Sequence, residues 1–208
     1  MHANWMASSI QPQKDVLMAF QDCICFQCSH FFTDWNSNQL PLLEEKLSEP
    51  NPEHLKAVII AINDAPFFKH LSMTVSEIGV GYSIVMLDVG NEHMNPFGGL
   101  HGGVYSSAID TAAYWSAYCD LPEENGLITI DIKVDFLAPV SDNKIIINGR
   151  RIKSGKTLYL TEAIMSDTKG TVLAHGTSKL MVTRNKQSVV DLVNYIGSDK
   201  LPPKFLRS

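Results

Sequence analysis

The sequence predicts an α+β fold in which an antiparallel sheet wraps around one long, buried helix. That helix is predicted between Gly103 and Cys119, a stretch without Lys, Arg or Glu in which Asp110 is the only charged residue. A helix that is apolar on every face has to be enclosed by protein. Two strand-like segments precede the helix and four follow it, and one sheet around a central helix is the simplest way to bury it.

The strands are predicted from their composition and alternation. Before the helix, residues 71–77 and 82–88 have strand-like composition. After it, apolar residues from Ile128 to Phe136 alternate with Thr129, Asp131, Lys133 and Asp135. This period of two predicts a strand with Asp131, Lys133 and Asp135 in solvent. Three further strands are predicted over 145–153, 157–166 and 171–183.

The chain of 208 residues is long enough for one domain with an appendage. We predict a helical N-terminal extension over 1–50, the main domain over 51–185, and a short helix with a tail over 186–208. Asn51 and Pro52 are a helix start signal, with Asn as the cap and Pro at the first position. That helix is predicted to end near Asp64.

Composition argues against two classes of partner. A net charge of −5 implies no basic face for nucleic acid. No apolar run approaches the roughly 20 residues that cross a bilayer, and residues 1–10 lack the pattern of a secretory signal. A cytoplasmic protein is therefore the expectation.

Three cysteines, Cys23, Cys25 and Cys28, precede His30 at a spacing that invites a zinc or iron–sulfur interpretation. A closed zinc site needs a second ligand pair, and no matching pair follows in the sequence. Small apolar residues on an amphipathic helix in a reducing compartment are the favoured interpretation. We therefore expect no metal and no separate cofactor.

A glycine-rich turn that contains His101 leads directly into the predicted central helix. Helix starts present free backbone N–H groups and a positive dipole end, which suit an oxygen that gains negative charge. Gly102 and Gly103 can bring such N–H groups close to a carbonyl without a Cβ in the way. Asp110 is a candidate base whose pKa rises in apolar surroundings, although a buried structural Asp is the alternative. Together these features predict a reaction centre.

Helical geometry separates the two halves of this motif. His101 and Asp110 are nine positions apart, which on a helix is about 900° of rotation and about 13 Å of rise. The two side chains then face opposite ways and cannot easily act on one carbonyl within one chain. If both act, the pocket has to be shared between two subunits.

Over roughly residues 66–183, the chain resembles the hotdog-fold acyl-CoA thioesterases of the phenylacetic-acid-degradation (PaaI-like) type. The resemblance rests on the Asn95…His101-Gly102-Gly103 turn and on Asp110 in the helix. It extends through the Thr129-to-Pro139 strand and two hairpins. These hairpins contain Gly149-Arg150…Gly155-Lys156 and Asp167…Gly170…Ala174.

The resemblance implies a homodimer with a continuous sheet and active sites at the subunit interface, and leaves pairing of dimers into a homotetramer open. It implies that Asp110 is the general base or nucleophile and that the Gly102 amide polarises a thioester carbonyl. Asn95 and His101 would shape the oxyanion side, and the Thr129 hydroxyl would help to place water or substrate. The implied substrate is an acyl-CoA or aryl-CoA, whose coenzyme A is part of the substrate.

A basic cluster lies on one predicted hairpin of this acidic chain. It comprises Arg150, Arg151, Lys153 and Lys156, together with Gly155 in the turn. Contact with coenzyme A phosphates and a solvated strand surface are both open interpretations. With Gly103, these residues complete the predicted substrate-binding set.

The sequence is also compatible with two other functions. Hotdog dehydratases and hydratases act on similar carriers and pair a His with an acid. A non-catalytic acyl-CoA-binding module is the other alternative.

Overall fold

The computed structural model describes residues 49–197 and 200–206. The proposed N-terminal extension, with Cys23, Cys25 and Cys28, lies outside these residues, apart from residues 49 and 50. The described helices are α1 (Pro52–Asp64), α2 (Pro66–His70), α3 (Gly102–Trp115) and α4 (Val189–Ile196). The strands are β1 (Met73–Gly79), β2 (Tyr82–Asp88), β3 (Asn125–Phe136), β4 (Lys144–Lys153), β5 (Leu158–Asp167) and β6 (Val172–Arg184). Among these residues, no helix is long and apolar enough to cross a membrane.

The six strands form one antiparallel sheet in the order β1-β2-β4-β5-β6-β3, and α3 packs across one face of it. The predicted fold of a sheet around a central helix is therefore confirmed. Helix α1 starts at Pro52 with the Asn51 side chain accepting from the Glu53 amide, and it ends at Asp64 as predicted. Strand β1 starts two residues later than predicted, because Ser72 lies in a turn with a φ of 49°.

Helix α3 lies very close to the middle of the sheet. The Ser83 hydroxyl on β2 donates to the Ala112 carbonyl of α3 at 2.6 Å. Gly149 on β4 faces the same carbonyl, and a Cβ at that position would collide with it. These contacts fix how far α3 stands from the sheet, and with it the position of the side chains on the opposite side of the helix.

Strand β3 departs from the simple alternation that the sequence predicted. Thr129 pairs with Leu180 and Asp131 with Lys179, so that Ile130 is an extra residue in a β-bulge. A bulge shifts the strand by one residue, which reverses the faces that follow it. The prediction of one apolar face from Ile128 to Phe136 is therefore wrong, because Leu127 and Thr129 face α3 before the bulge.

The C-terminal residues dock beside the end of α3. Lys204 is 1% exposed, and its ammonium group donates to the carbonyls of Tyr118 and Leu121 at 2.8 and 2.7 Å. Burial lowers the pKa of Lys204 to about 8. His54 of α1 contacts the Pro202 carbonyl through Nδ1 at 2.6 Å and the Tyr118 hydroxyl through Nε2 at 2.5 Å. Because a carbonyl can only accept, Nδ1 carries the proton and Nε2 accepts from Tyr118.

Candidate active site

The glycine-rich turn is held by its own asparagine. The Asn95 side-chain oxygen accepts from the backbone N–H groups of Phe97 and Gly99 at 2.9 and 3.2 Å. Gly98 between them has a φ of +79°, a conformation that a side chain disfavours. Asn95 therefore fixes the shape of the turn that delivers the chain to the start of α3.

His101 is the N-cap of α3, and this capping role sets its protonation. Its Nδ1 accepts from the Gly103 N–H at 2.9 Å, so Nδ1 carries no proton. Gly102 is exposed, and no acceptor for its own N–H lies among the described residues. The structure thus favours Gly102 over Gly103 as the amide that can polarise a carbonyl, since the Gly103 N–H is already used.

Asp110 lies two turns into α3 and is partly buried. Its Oδ1 accepts from the Thr129 hydroxyl at 2.9 Å. Burial raises the pKa of Asp110, and the hydrogen bond from Thr129 partly offsets that rise. Thr129 faces the helix because it lies before the bulge at Ile130, on the same face as the buried Leu127, so the carboxylate is held in place by a residue that the simple alternation placed on the polar face.

One side of α3 is left open by the chain's own sheet. The partly exposed residues on this side are Ser106, Ser107, Asp110, Thr111 and Tyr114. The sequence predicted a helix enclosed on every face, and the described chain covers only part of it. Beside this open side, β3 is an unpaired edge of the sheet with exposed Ile130, Ile132 and Phe136. Unpaired edges with apolar side chains are typical surfaces for pairing with another chain.

The basic cluster is only partly free. Arg151 forms an ion pair with the buried Asp120, and Arg150 donates to Glu162 through Nε at 2.8 Å. Lys153 and Lys156 are exposed and form no ion pair within the described residues, and Gly155 lies in the turn between β4 and β5. Two of the four cations therefore have carboxylate partners before any ligand is bound.

A family model of the Thioesterase superfamily matches residues 97–174, which include most of the turn, α3, β3 to β5 and the first residues of β6. Over these residues the chain is similar to the Thioesterase superfamily, and the described residues have the hotdog fold.

Relatives and solved structures agree with this assignment. Human acyl-coenzyme A thioesterase 13 is 27% identical over 128 residues, which are 60% of this chain and 91% of that protein. A thioesterase from Haemophilus influenzae has the same fold, with a TM-score of 0.61 and 21% identity over 67% of this chain and 96% of that one. A thioesterase family protein from Silicibacter pomeroyi gives a TM-score of 0.58 and 22% identity, and covers 63% and 98% of the two chains.

Two features around the thioesterase domain were not singled out from the sequence. One is the docked Lys204, a lone Lys that has no recognisable spacing to the residues it contacts. The other is a cavity of about 690 Å³ at the C-terminal end of α3, which α4 helps to line. The sequence signal for this cavity was a group of aromatic residues, Tyr114, Trp115 and Tyr118. Such a group is typical of either a hydrophobic core or an acyl pocket.

Proposed function

We propose that this protein hydrolyses an acyl-CoA or aryl-CoA thioester to the free acid and coenzyme A. The observation that carries the proposal is Asp110, a partly buried carboxylate that Thr129 holds on the open side of a helix whose first amide is free. Human acyl-coenzyme A thioesterase 13, one of the relatives, bears the name of such an activity. A hollow of about 440 Å³ beside Gly102, lined partly by Tyr105 and Phe136, gives a substrate access to that amide.

The chemistry requires a base and a partner for the carbonyl oxygen. In the general-base route, Asp110 takes a proton from water while the water oxygen bonds to the thioester carbon. The Gly102 N–H and the positive end of the α3 dipole stabilise the resulting oxyanion. Collapse of this intermediate breaks the C–S bond, and the proton held by Asp110 goes to the departing thiolate. In the nucleophilic route, the Asp110 carboxylate bonds to the carbonyl carbon and the C–S bond breaks to release the thiolate of coenzyme A. Water then cleaves the resulting anhydride to the free acid and Asp110, and its proton goes to the thiolate.

The two parts of the site would come from different chains. Gly102 and Asp110 are eight positions apart on one helix, which is about 12 Å along its axis. A second chain that pairs with the β3 edge would cover the open side of α3 and place its own turn near Asp110. A symmetric dimer of this kind contains two sites, each with Gly102 of one chain and Asp110 of the other.

The capping role of His101 supports hydrolysis over dehydration. A dehydratase needs a histidine that takes up and returns a proton, whereas Nδ1 of His101 is occupied by the Gly103 amide. The remaining nitrogen, Nε2, is a donor in the neutral ring and suits a positioning role. We therefore place Asn95 and His101 as residues that shape the turn.

A panel of acyl-CoA and aryl-CoA substrates tests the proposal through release of the free thiol. Wild type should hydrolyse at least one member, and Asp110→Asn should lower kcat by about 10²-fold or more, the range for loss of a general base. Asp131→Asn is the matched control, because Asp131 is an exposed carboxylate on β3. Wild type without turnover on the whole panel, or full activity in Asp110→Asn, would overturn the proposal.

A further inference from the structure

The cavity at the C-terminal end of α3 combines parts from three regions of the chain. Its α3 side is formed by Tyr114 and Trp115, and Tyr118 follows in the next turn. The opposite wall is α4 with the loop before it. The side chains of α4 that line the cavity are Val189, Asp191, Leu192 and Tyr195. A volume of about 690 Å³ falls within the range of small-molecule sites.

Two residues that line this cavity are neighbours of the Asp110 site. Tyr114 lies four residues after Asp110, so it occupies the same side of α3 about 6 Å further along the axis. Ile128, which also lines the cavity, directly precedes the Thr129 that holds the Asp110 carboxylate. A thioester whose carbonyl lies at Asp110 can therefore extend its acyl group past Tyr114 into the cavity.

The lining favours an apolar occupant. The Tyr114 hydroxyl donates to the Leu127 carbonyl at 3.3 Å, and the Tyr114 ring packs edge-on against Trp115 with ring centroids 5.2 Å apart. At the start of α4, Ser188 and Asp191 bind each other in a capping box, which uses their polar atoms. Toward α3 and α4, the surface that remains for a ligand is aromatic and aliphatic. The polar lining residues Asn125, Asn185, Lys186 and Gln187 belong to the start of β3 and the loop before α4.

Helix α4 is capped at both ends and packs against the core. Its N-terminus is closed by the capping box, and its C-terminus ends at Gly197 with a φ of +68°. Val189 and Leu192 also pack against the main hydrophobic core. Helix α4 lies outside residues 97–174, the part of the chain that the family model matches.

We propose that this cavity binds the acyl end of the substrate and that α4 limits its length. The proposal rests on the proposed function for the position of the thioester carbonyl. It names the substrate class as an extended apolar acyl group, a medium-chain fatty acyl or an arylacyl, in preference to acetyl. Leu192 and Val189 are the length-determining residues of the wall.

Substitution of Leu192 tests the role of α4. Leu192→Trp should fill the cavity and lower kcat/KM for octanoyl-CoA and phenylacetyl-CoA by about tenfold or more, while acetyl-CoA changes little. Leu192→Ala should shift the preference toward dodecanoyl-CoA. Val190→Trp is the matched control, since Val190 is exposed on the other side of α4. An unchanged chain-length profile in both Leu192 variants, or an equal loss on all substrates in a folded Leu192→Trp, would overturn the proposal.

Binding of the stable thioether S-octyl-CoA separates this inference from the proposed function. If the cavity holds the acyl group, wild type should bind S-octyl-CoA at least tenfold more tightly than coenzyme A, and Leu192→Trp should remove that difference. This result together with no thiol release from the panel would contradict hydrolysis and keep the cavity assignment. Equal affinity of wild type for S-octyl-CoA and coenzyme A would contradict the cavity assignment, whatever the turnover.

Discussion

Asp110 is a carboxylate on a helix that carries no other charge, and its surroundings set its proton affinity. Burial raises its pKa, while the hydroxyl of Thr129 stabilises the ionised form and lowers it. A general base has to be deprotonated, so its activity falls as the pH falls through its pKa. For the proposed role of Asp110 as a base, Thr129 therefore extends the active pH range toward lower pH.

Replacing Thr129 by valine should therefore move the acid limb of the pH–rate profile to higher pH. The variant keeps the shape of the side chain but loses the hydrogen bond that opposes the effect of burial on the Asp110 pKa. The measurement is kcat/KM against pH for wild type, Thr129→Val and Thr129→Ser. The serine variant keeps a hydroxyl and should restore the wild-type limb, and a limb that does not move in Thr129→Val would contradict this role.

Asp110 and Thr129 were predicted from the sequence for different reasons. The turn, the helix and Asp110 are close in the chain, so their spacing alone predicted a reaction centre. Thr129 was named through the family resemblance, while the alternation of β3 placed it on the polar side. The bulge at Ile130 depends on the register between β3 and β6, which the sequence of one strand does not determine.

The contact between α3 and β4 determines where Asp110 lies relative to the sheet. Gly149 faces the carbonyl of Ala112, two residues after Asp110, and Ser83 donates to the same oxygen. Two elements that approach this closely leave no room for a side chain between them. The glycine on β4 is therefore part of what positions the Asp110 carboxylate.

A methyl group at Gly149 should lower both stability and activity. Gly149→Ala forces α3 away from the sheet, and overpacking of this kind costs about 3 kcal/mol in the free energy of unfolding. Chemical denaturation and kcat on the best substrate are the measurements. Asn148→Ala, at an exposed neighbouring position on β4, should leave both unchanged. A Gly149→Ala variant with wild-type stability would show that α3 does not rest on β4 as described.

Contacts between residues close in the sequence could be predicted, whereas contacts between distant residues could not. Helix α1 was predicted from its cap, because Asn51 acts on a residue only two positions away. The docking of the C-terminal tail was not predicted. Lys204 contacts the Tyr118 carbonyl across 86 positions, and only the folded chain brings these groups together.

In the whole molecule, the open side of α3 and the unpaired edge of β3 lie next to each other, and one partner chain could cover both. Within the described residues, nothing covers either feature, and a second copy of the chain would cover both. Pairing of this kind would bring Gly102 of one chain to Asp110 of the other. Helical geometry predicted this division of the site, because the ends of one helix are too far apart to act on one carbonyl.

The turn can be disabled without disturbing the helix. Gly102 is the first residue of α3, a position that suits proline, and His101 before it has a ψ of 135°, which a following proline favours. Gly102→Pro therefore removes the free N–H, and Gly102→Ala is the matched control that keeps it. Loss of one oxyanion donor lowers kcat by about 10²-fold to 10³-fold.

Activity of a mixed dimer tests the shared site most directly. Asp110→Asn and Gly102→Pro chains carry different affinity tags, and the heterodimer is purified through both tags and assayed for thiol release. If the site is shared, one of its two sites has both wild-type residues, so the heterodimer should recover about half of the wild-type activity. Each parent homodimer should stay nearly inactive. A heterodimer no more active than its parents would contradict a shared active site, because it would mean that Gly102 and Asp110 act within one chain.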